Sequence, residues 1–351
     1  MNIGIFAVYA TAFDEKSIEL PLGGSETWAI QLADAFRALG HGVTVVCGCA
    51  ERHTTETGAE YVPIREFEKG RGWTFDLAIA SRYWRDFLRL WAGRGKARRV
   101  FLQLHDDHAP NTNGALVGGT LADKIVTLTD WHRRYIQEKY SLRDEDMAVI
   151  PNPVDARLFP DVDVERRTAD HAVLWSSCPT RGLEILAKYV APLVRQAVPD
   201  FSVKAVTYSQ PEQRRCAGLE DVEWLEPMNK RQLYAEMCKH AVWFYPSVFD
   251  ETFCITLAEN AYAGNHIVMH PDFGTTEFAG ISDNVVAPFW TGHTFRTACA
   301  AAARKIADRV LRYGEADCAA RRAEARKFVA ERFSPERVAE LYVRTYEESL
   351  R

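Results

Sequence analysis

The chain has 351 residues, enough for two domains, and 47% of them are hydrophobic, enough to fill two cores. Its net charge of −5 argues against a general nucleic-acid binder. No apolar run reaches transmembrane length, so the sequence leaves only peripheral membrane contact open, and eight scattered cysteines without a C-x-x-C pair read as reduced thiols of a cytoplasmic protein.

Strand and helix signals alternate along the chain, the pattern of parallel α/β layers. Met1 to Val8 lacks a basic leader and reads as a first buried strand over Ile3–Val8. Further strands are predicted at Val43–Cys47, Leu77–Ala80, Val100–Leu104 and Ile125–Leu128. Between the first two, Ser25–Leu39 repeats apolar residues at steps of three and four, a helical spacing, and Gly40-His41-Gly42 ends it. A proline-bearing stretch, Ile150 to Asp155, and a polar run from Asp161 to Asp170 follow. The domain boundary is placed there, giving domains 1–163 and 164–333. The pattern restarts with strands at Ala172–Trp175, Ser202–Val206, Val222–Leu225, Val242–Tyr245 and Ile267–His270. Phe333-Ser334-Pro335-Glu336 opens a last helix within 334–351. No G-x-G-x-x-G follows the first strand of either domain, which argues against a dinucleotide dehydrogenase.

Several junctions carry residues suited to chemistry. Pro21 to Thr27 opens a helix; Gly23 and Gly24 let the backbone approach a ligand, and Ser25 is the expected cap. A capped helix behind a flexible loop explains the same residues. His105-Asp106-Asp107-His108 ends a strand, the edge at which open α/β sheets bind ligands. A metal there would need three or four ligands, and nothing elsewhere completes a set. Asp161-Val162-Asp163 is read as solvated loop. Trp175 to Glu184 carries Arg181, a permanent cation suited to phosphate oxygens. Val222 to Lys230, with Pro227, forms another strand-to-helix turn.

The most informative stretch is Asp250 to Asn260. Glu251 and Glu259 flank a strand-to-helix turn, with the helix expected to begin near Phe253. Unpaired N–H groups at Phe253, Cys254 and Ile255 favour an anion such as phosphate. The carboxylates on either side can accept hydrogen bonds from sugar hydroxyls. Together they describe a sugar-nucleotide pocket. The spacing alone is weak, since Glu60/Glu68 and Glu340/Glu348 share it on expected solvated faces.

In this context the segment resembles the E-x7-E element of retaining GT-B glycosyltransferases, in particular the GT4 family, and the resemblance extends over most of the chain. It implies an α/β protein of two Rossmann-like domains facing a central cleft, with the last helix, 334–351, packing back on the first domain. A nucleotide diphosphate sugar would sit mainly on the second domain. The acceptor, a glycan, lipid-linked or small-molecule hydroxyl, would sit mainly on the first. Gly23 and Gly24 would lie beside the diphosphate, and His105 would contact the donor sugar. Arg181 and the N–H groups of Phe253, Cys254 and Ile255 would neutralise the departing diphosphate. Glu251 would bind a donor-sugar hydroxyl, Glu259 the ribose, and the turn holding Pro227 would border the base. Phe273-Gly274-Thr275-Thr276-Glu277 resembles the family's glycine-rich turn, a structural feature.

The family pattern has an arginine about five residues before Lys-Gly. Here Arg181-Gly182 replaces Lys-Gly, and Ser176 or Ser177 stands at the earlier position. The resemblance implies no metal and no resident cofactor; the N-terminus without a basic leader and the scattered cysteines read as a cytoplasmic location, which extends to the inner face of the membrane. A catalytically inactive nucleotide-sugar-binding subunit, or a GT-B epimerase or phosphorylase, are the alternative readings.

Overall fold

The computed structural model describes residues 1–8, 11–110, 122–207, 218–290 and 292–351. They form two units. One comprises Met1–Ile18, Leu22–Pro153 and Phe333–Arg351; the other comprises Glu19–Pro21 and Val154–Arg332. The chain passes to the second unit at Pro153/Val154, earlier than the 163/164 placed from the polar run. Aromatic stacking accounts for the difference. Phe159 lies 3.9 Å from the Tyr234 ring and 4.6 Å from the Tyr262 ring, which ties 154–163 into the second unit.

In the first unit the sheet runs His53–Thr54, Glu60–Pro63, Gly42–Cys47, Asn2–Phe6, Trp73–Ser81, Gly95–Gln103, Lys124–Thr127, Met147–Val149. The outermost pair, His53–Thr54 with Glu60–Pro63, is antiparallel; the other pairings are parallel. Both faces are covered, which is why Ile3 to Phe6 reads as continuously apolar. Ile3 and Ile5 join Trp28, Phe36 and Tyr342 on one face. Phe6 points to the other, ringed edge-on by Phe67, Phe75, Phe87 and Trp91 at 5.1–5.7 Å. The helix Gly24–Ala38 stops where Gly40 turns left-handed, φ 81°, and the His41 N–H donates to the Phe36 carbonyl. The last helix, Pro335–Ser349, belongs to this unit. Its Tyr342 ring packs on Trp28 and Phe36, and its hydroxyl donates to Gln103 Oε1.

The second unit holds a parallel sheet in the order Val222–Leu225, Ser202–Val206, Asp170–Trp175, His240–Tyr245, His266–Met269, Asp283–Asn284. Every residue of the strand His240–Tyr245 is buried. All strands predicted from sequence are present; Ser202–Val206 and Val222–Leu225 have their predicted ends, and the others are shifted. The strands His53–Thr54, Glu60–Pro63, Met147–Val149 and Asp283–Asn284 were not predicted, being too short to display a period of two. The described cysteines are free thiols. Among the described residues, no helix is long and apolar enough to cross a membrane.

Candidate functional site

In the second unit, the strand His240–Tyr245 delivers the chain to a loop that ends in the helix Ile255–Ala263. The helix begins at Ile255, two residues after the expected start. Cys254 precedes it at φ 68°, ψ 75°, a left-handed conformation that is strained for a residue with a Cβ. No side chain caps this terminus. The first N–H groups of a helix have no intrahelical partner, which suits such a terminus to an anion.

Glu251 lies in the loop, 5% exposed. Its Oε1 accepts two hydrogen bonds, from Tyr245 Oη at 2.6 Å and from Arg181 Nη1 at 2.8 Å. The Arg181 side chain is about a third exposed and its guanidinium lies 4.0 Å over the Phe249 ring. Burial alone would lower the Arg181 pKa, but the negative charge of Glu251 raises it above its ordinary value. Burial, then Glu251, pushes the Tyr245 and Cys254 groups well up, so both stay protonated. Two glycines make this packing fit. Gly182 has φ 126°, and a Cβ there would come within 2.4 Å of Pro246 Cγ. Gly274 donates its N–H to the Glu251 carbonyl at 2.7 Å, and a Cβ on it would come within 2.4 Å of the Thr252 carbonyl oxygen.

Glu259 lies one turn into the helix and is 2% exposed. Its Oε1 accepts from Lys230 Nζ at 2.6 Å and from Tyr234 Oη at 2.7 Å. Lys230 opens the helix Lys230–Met237, whose N-cap Asn229 forms a capping box with Gln232. Pro227 is exposed in the turn before it, and Phe253 is buried with its ring 5.4 Å from that of Phe278. Arg181 and Glu251 thus meet directly, whereas Glu259 has a cation of its own. Sequence reasoning missed Lys230, Tyr234 and Tyr245. A signal for the first was there: residues 230, 233, 234 and 237 form a helical apolar stripe, and a lysine on that stripe must be buried with a partner.

The remaining predicted residues lie in the first unit. The helix Gly24–Ala38 is capped by Gly23, not Ser25. Ser25 falls inside the helix, and its hydroxyl accepts from Arg82 Nη1 at 3.1 Å. Gly23 has φ −70°, which any residue adopts, so the torsion does not demand glycine there. Arg82 also holds Asp106 with two bonds of 2.8 and 3.0 Å, a link the sequence did not reveal. His105 stands edge-on to Trp28 at 5.0 Å. Burial, Arg82 and His132 bring its pKa down to about 3. His132 is fixed as the Nε2–H tautomer: the Leu128 N–H donates to Nδ1, and Nε2 donates to the Asp106 carbonyl at 2.9 Å. The Asp106-to-His108 cluster is engaged internally, with His108 Nδ1 2.7 Å from Asp107. Among the described residues the trio able to gather on a cation is Asp14, Glu15 and His53, none of them a predicted site residue.

Burial brings His105 to about 3, His132 to about 4 and His266 to about 3. These histidines are neutral when folded and take protons near the ordinary value of 6.5 when unfolded. Below pH 6.5 the unfolded chain therefore binds more protons, and stability falls with pH until the folded values are reached. The urea midpoint is expected to be highest above pH 6.5 and to decline steadily toward pH 4. A midpoint flat over that range would contradict this.

No family model and no curated protein sequence matches the chain. Its fold, however, matches solved structures over nearly its whole length. A sucrose-phosphate synthase from Thermosynechococcus elongatus superposes with a TM-score of 0.70 at 15% identity, covering 99% of each chain. A glycosyltransferase from Rickettsia africae gives 0.66 at 16% identity, covering 100% of this chain and 99% of that one. The Anabaena protein HepE, solved with UDP and glucose, gives 0.65 at 16% identity, covering 99% and 100%. With two units each built on a parallel sheet, the chain has the GT-B fold that these glycosyltransferases share.

Proposed function

We propose that the protein is a retaining glycosyltransferase of GT4 type that takes its sugar from a nucleotide diphosphate donor. The observation that carries this reading is the pairing of Arg181 with Glu251 beside the uncapped N-terminus of the helix that bears Glu259. The fold shared with HepE, solved with UDP and glucose, supports it.

In this reading the helix N–H groups and Arg181 take the diphosphate. Phosphate oxygens compete with Glu251 for the guanidinium, while Tyr245 keeps the Glu251 carboxylate in place to accept from a sugar hydroxyl. Glu259 accepts from the ribose, and Pro227 borders the base. Charge on the departing diphosphate grows as the glycosidic bond breaks, so fixed positive dipoles and a cation there stabilise the transition state more than the ground state. No protein nucleophile is assigned. The acceptor hydroxyl attacks on the face the diphosphate leaves, its oxygen bonds to the anomeric carbon, and its proton passes to the departing phosphate oxygen. The first unit, with Gly23, Gly24 and His105, serves acceptor and donor-sugar recognition. The acceptor is a carbohydrate or lipid-linked hydroxyl, met in the cytoplasm or at the inner membrane face.

Incubation with UDP-, GDP-, ADP- and dTDP-sugars is expected to release one nucleoside diphosphate. Proton NMR of the product should give the donor's anomeric configuration. Donor binding without release would instead support an inactive binding subunit, and neither binding nor release would end the proposal. EDTA is expected to leave the rate within about twofold, because the charge is met by Arg181 and the helix terminus rather than by a cation. Abolished activity restored only by a divalent ion would overturn that.

A further inference from the structure

Lys230 is placed where a lysine is expensive. It is buried, and it is the first residue of its helix, where the aligned peptide dipoles disfavour a cation. A buried ion pair at best roughly repays its desolvation, so an apolar pair of the same size would serve the fold as well or better. Two features give the pair a direction. Lys230 and Tyr234 are four residues apart on one helix face, so their polar ends converge on one point. That point is a single oxygen: both donors meet Glu259 Oε1, at 2.6 and 2.7 Å. The Tyr234 ring is itself held by Phe159, stacked at 3.9 Å. One carboxylate oxygen is thereby fixed by the protein, and Oε2 has no donor among the described residues.

We propose that Lys230 is the positioning residue of the nucleotide site: with Tyr234 it holds Glu259 oriented by Oε1, so that Oε2 presents its lone pairs to the vicinal hydroxyls of a ribose. The proposal rests on the reading of Glu259 as the ribose ligand. Lys230 touches no part of the nucleotide and acts through Glu259. Without the cation, Oε1 keeps only the Tyr234 hydroxyl as donor, and the carboxylate is free to turn.

Calorimetric titration with UDP and with 2′,3′-dideoxy-UDP separates this from a role in folding alone. The parent protein is expected to prefer UDP by about tenfold to a hundredfold, the range of a charge-assisted hydrogen bond. Lys230→Met should lose most of that preference while binding the dideoxy nucleotide as the parent does. Glu259→Gln and the double variant Glu259→Gln/Lys230→Met should bind UDP equally, since Lys230 has nothing left to position. If Lys230→Met folds poorly, the double variant, which carries no unpaired charge, still supplies the comparison with Glu259→Gln. Equal losses for both nucleotides in Lys230→Met, or an undiminished preference for UDP, would overturn the assignment of Lys230 alone. A further loss in the double variant beyond Glu259→Gln would overturn it too. A parent that binds UDP without preferring it to the dideoxy form would remove Glu259 from the ribose, and Lys230 with it.

Discussion

Arg181→Ala is expected to lower kcat by about 10²–10³-fold, the range seen when one stabiliser of transition-state charge is removed. Donor KM should rise less, because the diphosphate is only fully charged as the bond to the sugar breaks. Arg181→Lys should recover part of the rate, since an ammonium keeps the charge and loses the planar fork and the stacking over Phe249. The fold should survive. About a third of the Arg181 side chain is exposed, and Tyr245 continues to donate to Glu251 in its absence. Steady-state kinetics beside melting curves check this. A loss below about threefold, far under that range, would defeat the role given to Arg181.

Glu259→Ala should act on stability and on binding at once. It leaves Lys230 buried without its counter-charge, which costs about 3–5 kcal/mol when one partner of a buried pair is removed. Nucleotide binding should weaken by roughly 1.5–3 kcal/mol through loss of a charge-assisted hydrogen bond. The two effects separate in Glu259→Ala/Lys230→Met, which should regain most of the stability and none of the affinity. Urea unfolding reads the first quantity and calorimetry with UDP the second. A folded Glu259→Ala variant with parental affinity would take Glu259 out of the site.

The inner strands of both sheets were legible because parallel strands covered on both faces must be continuously apolar, as Ile3 to Phe6 and Val242 to Tyr245 are. Glu251, Arg181 and Glu259 were legible because each sits at or near a strand-to-helix junction, where a polar residue has a chemical reason. Their partners were not. Tyr245 closes an apolar strand and reads as core; only its hydroxyl, 2.6 Å from Glu251, gives it another role. Lys230 and Glu259 are 29 residues apart, and no local period connects them. Arg82 and Asp106 leave adjacent strands, and sequence alone does not say that those strands are neighbours. Ser25 was misread because a serine next to a glycine satisfies the rule for caps two residues too late. The boundary near 163 was misread because polar composition conceals Phe159, whose ring ties the segment to Tyr234 and Tyr262.

The last helix has a consequence for how the protein is made. Tyr342 bonds to Gln103 across 239 positions of sequence, and its ring seals the face formed by Trp28 and Phe36. A ribosome releases the second unit, Val154–Arg332, before it releases the helix that the first unit is waiting for. The part synthesised first is therefore the part completed last. Throughout that interval the helix Gly24–Ala38 carries an uncovered aromatic face, and the order of translation leaves nascent chains dependent on whatever shields such surfaces in the cell.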